Sequence, residues 1–249
     1  MAVRLIKTRL FFKFVKVTIS GPAIGGQLTF LAPRVITHCR RVSAINYKIE
    51  ETLPMSNGNM SPEDYLQLSS VYSLLSRLWL SEVDLQLLTA LNEPDMRDAY
   101  VKMGGQLPEG ISDDVVEELA VDYCQLLIGP KYHISPVQSV WQENKLQGSA
   151  ASSMSRYFEA IPTFDSPSTI VDHVGVQLAF IAELFLQPSA SDNPEAHEEI
   201  ASQFFVDHVA WTTPFFDKVE GQATTSFYKG LANISREFLA FEPEEEIAE

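Results

Sequence analysis

Residues 61–80, with the sequence SPEDYLQLSSVYSLLSRLWL, carry the pattern of an amphipathic helix. Ser61 and Pro62 are residue types that favour the N-cap and the first position of a helix, and two acids follow where the helix dipole favours them. Apolar residues then recur every three or four positions, which is the spacing of one buried face: Leu68, Val71, Tyr72, Leu75, Leu78 and Trp79. The stretch predicts a helix packed against a hydrophobic core.

Helical periodicity continues along the chain. Ser112 begins a second predicted helix that ends at Gly129-Pro130, with the apolar set Val115, Val116, Leu119, Tyr123, Leu126 and Leu127. A third, of about 20 residues, carries the stripe Ile170, Val174, Leu178, Ile181 and Phe185. Further helices are predicted from Ser81 to Asn92 and over residues 152–160, 195–218 and 221–241. No strand alternation follows residue 60, so we predict an all-α fold, a single compact domain of about nine helices.

Charge divides the chain into two parts. The 249 residues carry a net charge of −15, but residues 1–50 hold nine bases and one acid, whereas residues 51–249 hold nine bases and 32 acids. This change predicts a boundary near residues 50–60, with a helical domain over 60–241 and an acidic tail over 242–249. For residues 1–59 the composition favours a mis-assigned start or a disordered extension outside the working protein. A targeting or membrane-surface role and an integral structural role stay open.

Composition also excludes several classes of function. The acidic balance argues against a nucleic-acid partner, and no apolar run is long enough for stable membrane insertion. Two cysteines, Cys39 and Cys124, cannot build a disulfide framework, and Cys124 is expected to be a buried small hydrophobe. Motifs for phosphate, dinucleotide or metal binding are missing from the sequence, so we expect no catalytic residue, cofactor or metal.

Three polar clusters remain as candidate functional features. Asp172-His173 is expected one turn into the third helix, where both side chains would face an adjoining groove or solvent. The segment 123–141 combines a Gly-Pro loop with aromatic and small polar groups, which suits the wall of a peptide groove. His208 and Trp211 stand three positions apart and can share a helix face. For each cluster alone, ordinary packing or a solvated surface is the simpler explanation.

Taken in order, these clusters resemble the TorD/DmsD/NarJ-like family of chaperones for molybdenum enzymes. Residues 122–130 (DYCQLLIGP) are similar to the family signature (D/E)Y..LF.GP, and residues 136–141 (PVQSVW) to P(Y/W).SV(Y/W). Residues 172–182 (DHVGVQLAFIA) resemble DH(I/V)..EL.FMA. The segments HVAW at 208–211 and FYKGLA at 227–232 resemble two further elements. The resemblance covers about residues 62–241.

The resemblance implies an all-helical, non-catalytic cytoplasmic protein without a cofactor of its own. Such chaperones bind the twin-arginine leader peptide or the apo form of a molybdopterin-containing oxidoreductase subunit. They hold that partner back from export or membrane attachment until its cofactor is inserted. The acidic composition of residues 51–249 agrees with this function, because an acidic protein suits a leader with consecutive arginines beside an apolar run.

The family pattern also implies the peptide-binding residues. Asp172 would accept a hydrogen bond from a leader arginine or backbone amide, and His173 would form a groove wall or donate. The other implied positions are Leu126, Leu127, Gly129, Pro130, Ser139, Trp141, Gln177, His208 and Trp211. Three positions depart from the family pattern: Leu127 replaces a Phe, Val137 an aromatic residue and Gln177 an acid. These departures predict a smaller or less aromatic groove.

Two other functions and one assembly stay open. The 129–141 loop could hold a nucleotide or another small molecule, although Lys131 is its only base. Residues 1–50 could instead serve a membrane-surface scaffold. The family also implies a homodimer formed by domain swapping, for which the connection Pro188–Pro194 is the expected hinge.

Overall fold

The structure is a computed structural model that describes residues 61–187 and 194–240. Within these residues the chain forms ten α-helices, a π-helical turn and a short 3₁₀-helix. The helices are α1 Pro62–Leu80, α2 Leu85–Leu91, α3 Pro94–Lys102, α4 Asp113–Tyr123, α5 Gln138–Glu143, α6 Ser149–Ala160, α7 Val174–Leu186, α8 Pro194–His208, α9 Thr213–Gln222 and α10 Ser226–Phe238. The π-turn is Cys124–Ile128 and the 3₁₀-helix is Ala210–Thr212. Strand pairing in the described part is limited to one isolated bridge, so the all-α prediction is confirmed.

Helix α1 begins as the sequence predicts. The Ser61 hydroxyl accepts a hydrogen bond from the Asp64 amide, and the Asp64 carboxylate accepts one from the Ser61 amide at 2.8 Å. This reciprocal capping box satisfies backbone donors that the first turn would otherwise leave unpaired. The predicted apolar face is confirmed, because all its members are buried except Val71, which is half-buried against the core.

Helix α7 packs along α1 and forms the centre of the molecule. It is apolar on almost every side, with ten of its thirteen residues buried. The two helices approach closely at Gly175, whose carbonyl accepts a hydrogen bond from the Ser76 hydroxyl at 2.7 Å. A Cβ at Gly175 would lie 2.5 Å from Leu80 Cγ, so this contact needs a glycine.

Several predicted helix boundaries are wrong. The helical segment beginning after Ser112 does end at Gly129 as predicted, but its last five residues, Cys124–Ile128, form a π-turn in place of α-helix. The third helix begins at Val174 and has 13 residues, so Ile170 precedes it and is 42% exposed. The predicted helix over 195–218 is two helices separated by the 3₁₀-helix. Other predictions, on the extension 1–59, most of the Pro188–Pro194 hinge and the tail 242–249, lie outside the described residues.

Candidate peptide-binding site

Asp172 lies on the loop immediately before α7, and its side chain is only 1% exposed. Its Oδ2 accepts hydrogen bonds from the Ser139 amide at 2.9 Å and from the Ser139 hydroxyl. The Ser139 oxygen in turn accepts from the Gly148 amide at 3.0 Å. The prediction that Asp172 lies one turn inside a helix, facing a groove or solvent, is therefore wrong. The carboxylate is buried and holds the first turn of α5.

A short antiparallel contact joins the loop before α5 to the entry of α7. The Gln138 amide donates to the Asp172 carbonyl at 3.0 Å, and the Val174 amide donates to the Pro136 carbonyl at 2.8 Å. His173 is the N-cap of α7, and its Nδ1 accepts from the Gly175 amide at 3.0 Å. Asp172 thus joins the loop before α5 to the entry of α7, and His173 caps α7.

Burial governs the protonation of His173. Loss of solvation lowers the pKa of His173 to about 4, and the neighbouring Asp172 carboxylate acts weakly in the opposite direction. The imidazole is therefore neutral at physiological pH. A neutral Nδ1 is what the cap requires, since an imidazolium nitrogen could not accept the amide hydrogen.

A second network surrounds His208, which is buried at the end of α8. Its Nδ1 lies 2.9 Å from Gln138 Oε1, and its Nε2 lies 3.0 Å from the Ser153 hydroxyl. Gln138 Oε1 also accepts from Gln177 Nε2 at 2.6 Å, while Gln177 Oε1 accepts from the Trp211 indole at 3.0 Å. Because Gln138 Oε1 is an acceptor, Nδ1 of His208 carries the hydrogen and Nε2 accepts from Ser153.

The pKa of His208 is shifted in the same direction as that of His173. Burial lowers the pKa of His208 to about 4, and the carboxylates of Asp207 and Asp172 offset only part of that effect. Gln138 Nε2 donates to the Asp207 carbonyl at 2.7 Å, which fixes the orientation of its amide. Residues from α5, α6, α7 and α8 are thereby joined through neutral side chains.

Two half-exposed tryptophans stand at the edge of this network. The rings of Trp141 and Trp211 have centroids 6.2 Å apart, and Lys218 Nζ lies 5.2 Å from the centre of the Trp141 ring. The Trp141 indole donates to the Ser135 carbonyl at 2.6 Å. Both rings are thus held in place by their own hydrogen bonds while they keep partly exposed faces. Such rigid aromatic surfaces can bind apolar side chains with little loss of entropy.

The structure separates the predicted residues into two sets. Side chains of the first set are buried: Asp172, Ser139, Gln177, His208, Leu126 and Leu127. Residues of the second set reach the surface at least in part: His173, Trp141, Trp211, Gly129 and Pro130. Members of both sets meet around α5, but Leu126 and Leu127 belong to the hydrophobic core.

Sequence reasoning missed three polar residues with structural roles, two within the site and one, Asp122, outside it. Gln138 is the centre of the His208 network, and Ser153 is its partner from α6. Asp122 is 1% exposed and accepts from the Thr225 amide at 2.8 Å and the Thr225 hydroxyl at 2.6 Å, which ties α4 to the start of α10. Gln138 and Asp122 lie within the quoted family motifs, and this position is the sequence signal that could have identified them. Nothing in the pattern around Ser153 marks it.

Other candidate features are placed as follows. Cys124 is half-buried rather than buried, and its thiol donates to Glu82 Oε1 at 3.2 Å, a hydrogen bond that raises the thiol pKa. In the 129–141 loop, the amides of Gly129 and Ile134 donate to the carbonyls of Cys124 and Leu126.

Across residues 61–187 and 194–240, no cluster of three metal-ligating side chains occurs. No helix in that part is long and apolar enough to span a membrane.

Comparison with known proteins agrees with this arrangement. Residues 89–217, about half of the chain, match the family described as nitrate reductase delta subunit, and this range contains Asp122, Ser139, Asp172 and His208. The chain belongs to this family. The resemblance to TorD/DmsD/NarJ-like chaperones is thereby confirmed.

Individual relatives within this group are named chaperones. The chain is 26% identical over 215 residues to the chaperone protein TorD of Shewanella pealeana, which covers 75% of the chain and 92% of that protein. It is 29% identical over 194 residues to TorD of Shewanella sp. MR-4, covering 66% and 87%. Identity to the chaperone protein YcdY of Escherichia coli K12 is 28% over 123 residues, covering 49% of the chain and 62% of that protein.

Proposed function

We propose that the chain is a cytoplasmic chaperone for a molybdopterin-containing oxidoreductase subunit. It binds the leader peptide or the apo form of that subunit. It holds the subunit back from export or membrane attachment until the cofactor is inserted. The observation that carries the proposal is the meeting of three motif segments around α5. Residues 136–141, 172–177 and 208–211 are far apart in the chain but share hydrogen bonds through Ser139, Gln138 and Gln177.

Within this proposal the buried polar residues act by positioning. Asp172 and His208 fix the loop and the helix ends around α5, while their own atoms are occupied within the protein. The half-exposed Trp141 and Trp211 are the contacts for the apolar part of a leader. Exposed carboxylates such as Asp207, one residue before His208, suit the arginines of the same peptide.

The decisive experiment is calorimetric titration of the full chain with a twin-arginine leader peptide. We expect saturable binding with a Kd in the micromolar range. The variant Trp141→Ala should weaken it at least about tenfold, since truncation of an aromatic anchor commonly costs more than 1.4 kcal/mol. A matched control is Leu66→Ala, which removes an exposed apolar side chain on α1, 45% exposed, outside the site.

Several outcomes would contradict the proposal. The chaperone role would be contradicted if no binding is measured at tens of micromolar peptide and the chain also fails to retain the apo-oxidoreductase. An equal loss of affinity in Trp141→Ala and Leu66→Ala would show that Trp141 is not part of a peptide-binding surface. Circular dichroism and thermal melting of each variant separate a loss of binding from a loss of fold.

A further inference from the structure

The partly exposed ring of Trp141 faces a positive charge of the protein itself. Lys218 on α9 is exposed, and its Nζ lies 5.2 Å from the centre of the Trp141 ring. At this distance the negative potential of the ring face attracts an ammonium group, and tryptophan is the side chain that attracts cations most strongly. Phe215, which also contacts the Trp141 ring, is fully buried. Lys218 therefore lies toward the solvent side of the ring, where a peptide would approach.

The acids beside Lys218 on α9 are paired with another base. Asp217 Oδ1 lies 3.1 Å from Arg236 Nη1, and Glu220 pairs with the same guanidinium. On the helix face of Lys218, the positions three and four residues away carry no acid: Pro214, Phe215, Gly221 and Gln222. Lys218 therefore contacts Trp141 without an ion pair to its own helix.

Without Lys218, the two tryptophans would bind arginine as readily as apolar side chains. Trp141 and Trp211 have ring centroids 6.2 Å apart, and such faces bind guanidinium groups by stacking and cation–π contact. Residues 51–249 hold 32 acids and nine bases, so the field of the protein also favours a positive group. An ammonium beside the ring opposes this, because it repels a second cation and leaves an apolar side chain unaffected. Lys218 can therefore select which part of a peptide reaches Trp141.

The negative charge of the site lies beside the other tryptophan. Asp207 is exposed, and its Oδ2 accepts a hydrogen bond from the Tyr157 hydroxyl at 2.7 Å. The carbonyl of the next residue accepts from the Trp211 indole at 3.0 Å, which brings that ring against the end of α8 that carries Asp207. A base therefore lies at Trp141 and an acid near Trp211, so the two ends of the tryptophan pair differ in charge.

We propose that Lys218 is a specificity-determining residue of the peptide-binding site. It excludes arginine from the Trp141 ring, leaves this ring to the apolar run of a leader, and so directs the arginines to Asp207. The lysine side chain can move aside when an apolar group arrives, because a cation–π contact at an exposed position is weak. This inference rests on the proposed leader-binding function and adds to it the way in which the two halves of a leader are told apart.

Quenching of tryptophan fluorescence by caesium ions tests the position of Lys218 without a peptide. The chain has three tryptophans, and Trp79 is fully buried, so quenching reports on Trp141 and Trp211. At constant ionic strength we expect Lys218→Gln to raise the caesium quenching constant about twofold, because a cation can then approach the Trp141 ring. The control Lys102→Gln removes the same charge from an exposed position at the end of α3 and should leave the constant unchanged. Equal constants in the unchanged chain and both variants would overturn the inference.

Calorimetric titration with two peptides tests the selection itself. The first is a twin-arginine leader, and the second keeps its arginines but has serine at every apolar position of the run. We expect Lys218→Gln to bind the serine peptide about threefold more tightly than the unchanged chain does, which is the size of one exposed cation–π contact. Its affinity for the leader should change less, so the preference for the leader falls. Lys102→Gln should keep the preference of the unchanged chain.

Failure of this inference and failure of the proposed function give different results. If the leader binds but its preference over the serine peptide is the same in the unchanged chain and both variants, Lys218 does not select, while the leader-binding function stands. An equal gain for both peptides in Lys218→Gln has the same meaning, because it reflects net charge alone. If neither peptide binds to any of the three chains, the proposed function is contradicted, and selection by Lys218 is contradicted with it.

Discussion

Ser139 and Asp172, 33 positions apart, are joined by two hydrogen bonds to a single buried oxygen. The Ser139 amide donates to Asp172 Oδ2 at 2.9 Å, and the Ser139 hydroxyl donates to the same atom. A carboxylate that accepts a backbone amide at the start of a helix satisfies a donor that the helix cannot. The pair therefore fixes where α5 begins relative to the entry of α7.

We expect Asp172→Ala to lower the free energy of unfolding by about 2–3 kcal/mol. The substitution leaves the Ser139 amide buried without an acceptor, which costs more than the net value of the hydrogen bond. Urea denaturation followed by circular dichroism measures the change. The control is Asp98→Ala on α3, an exposed position where the change should stay within about 0.5 kcal/mol. Similar values for the two variants would show that Asp172 does not hold the fold.

Stability should fall in acid through two histidines, the half-buried His173 and the buried His208. Burial lowers the folded-state pKa of both His173 and His208 to about 4, below the usual 6.5 of an unfolded chain. Between these values the unfolded state binds more protons, so stability is complete above pH 6.5 and declines as the pH falls toward 4. The limiting slope is about 1.4 kcal/mol per pH unit for each histidine.

The variant His208→Asn isolates one of the two contributions. Asparagine can keep a donor toward Gln138 Oε1 but does not titrate, so the histidine-dependent slope between pH 6.5 and 4.5 should fall by about half. Urea midpoints at four pH values give the slope. A variant with the same slope as the unchanged chain would show that His208 is not buried as a neutral imidazole.

The sequence predicted the helices better than the polar site, and the reason is physical. The apolar face of α1 follows from spacing alone, because Leu68, Leu75 and Trp79 lie on one side of any helix drawn through them. The spacing also placed Ile170 on a helix that begins four residues later, since periodicity does not show where a helix starts. Asp172 looked like a surface residue because a buried carboxylate depends on Ser139, which no local pattern connects to it.

The candidate site was recognised through its motifs and not through its chemistry. The family pattern named Gln177 and His208, but it presented them as ligands for a peptide, whereas their side chains hydrogen-bond within the protein. Such networks join residues that are 39 or 70 positions apart, as for Gln138 with Gln177 and His208. A helical period of 3.6 residues carries no information at that distance.

Replacement of Gln177 by the acid of the family pattern should destabilise this protein in a pH-dependent way. Gln177→Glu places a carboxylate beside Gln138 Oε1, an acceptor that then keeps only one of its two donors, His208 Nδ1, in a site with no exposed surface. We expect a loss of about 1–3 kcal/mol at pH 8. The loss should shrink toward pH 5.5, where the carboxyl can bind a proton and then donate a hydrogen bond to Gln138 Oε1.

Urea denaturation at the two pH values measures this effect. The control Gln142→Glu changes an exposed glutamine on α5 and should alter stability little at either pH. A loss in Gln177→Glu that is independent of pH would show that shape, and not charge, decides the residue at this position.

Two glycines in the last two helices should respond to alanine with opposite signs. A Cβ at Gly230 in α10 would lie 2.6 Å from the backbone nitrogen of Gln106, whereas a Cβ at Gly221 in α9 meets nothing within 4 Å. Gly230→Ala should therefore cost about 1–3 kcal/mol through overpacking. Gly221→Ala should add about 0.5 kcal/mol, because alanine loses less backbone entropy in a helix.

The pair is its own control, since the chemical change is identical and both positions are helical. Urea denaturation of the two variants, measured at the same pH, gives the difference directly. Because Gln106 contributes backbone atoms, its side chain cannot relieve the clash by moving, and α10 must shift away from the loop that carries Gly105 and Gln106. Equal stability of the two variants would mean that this loop does not lie against α10.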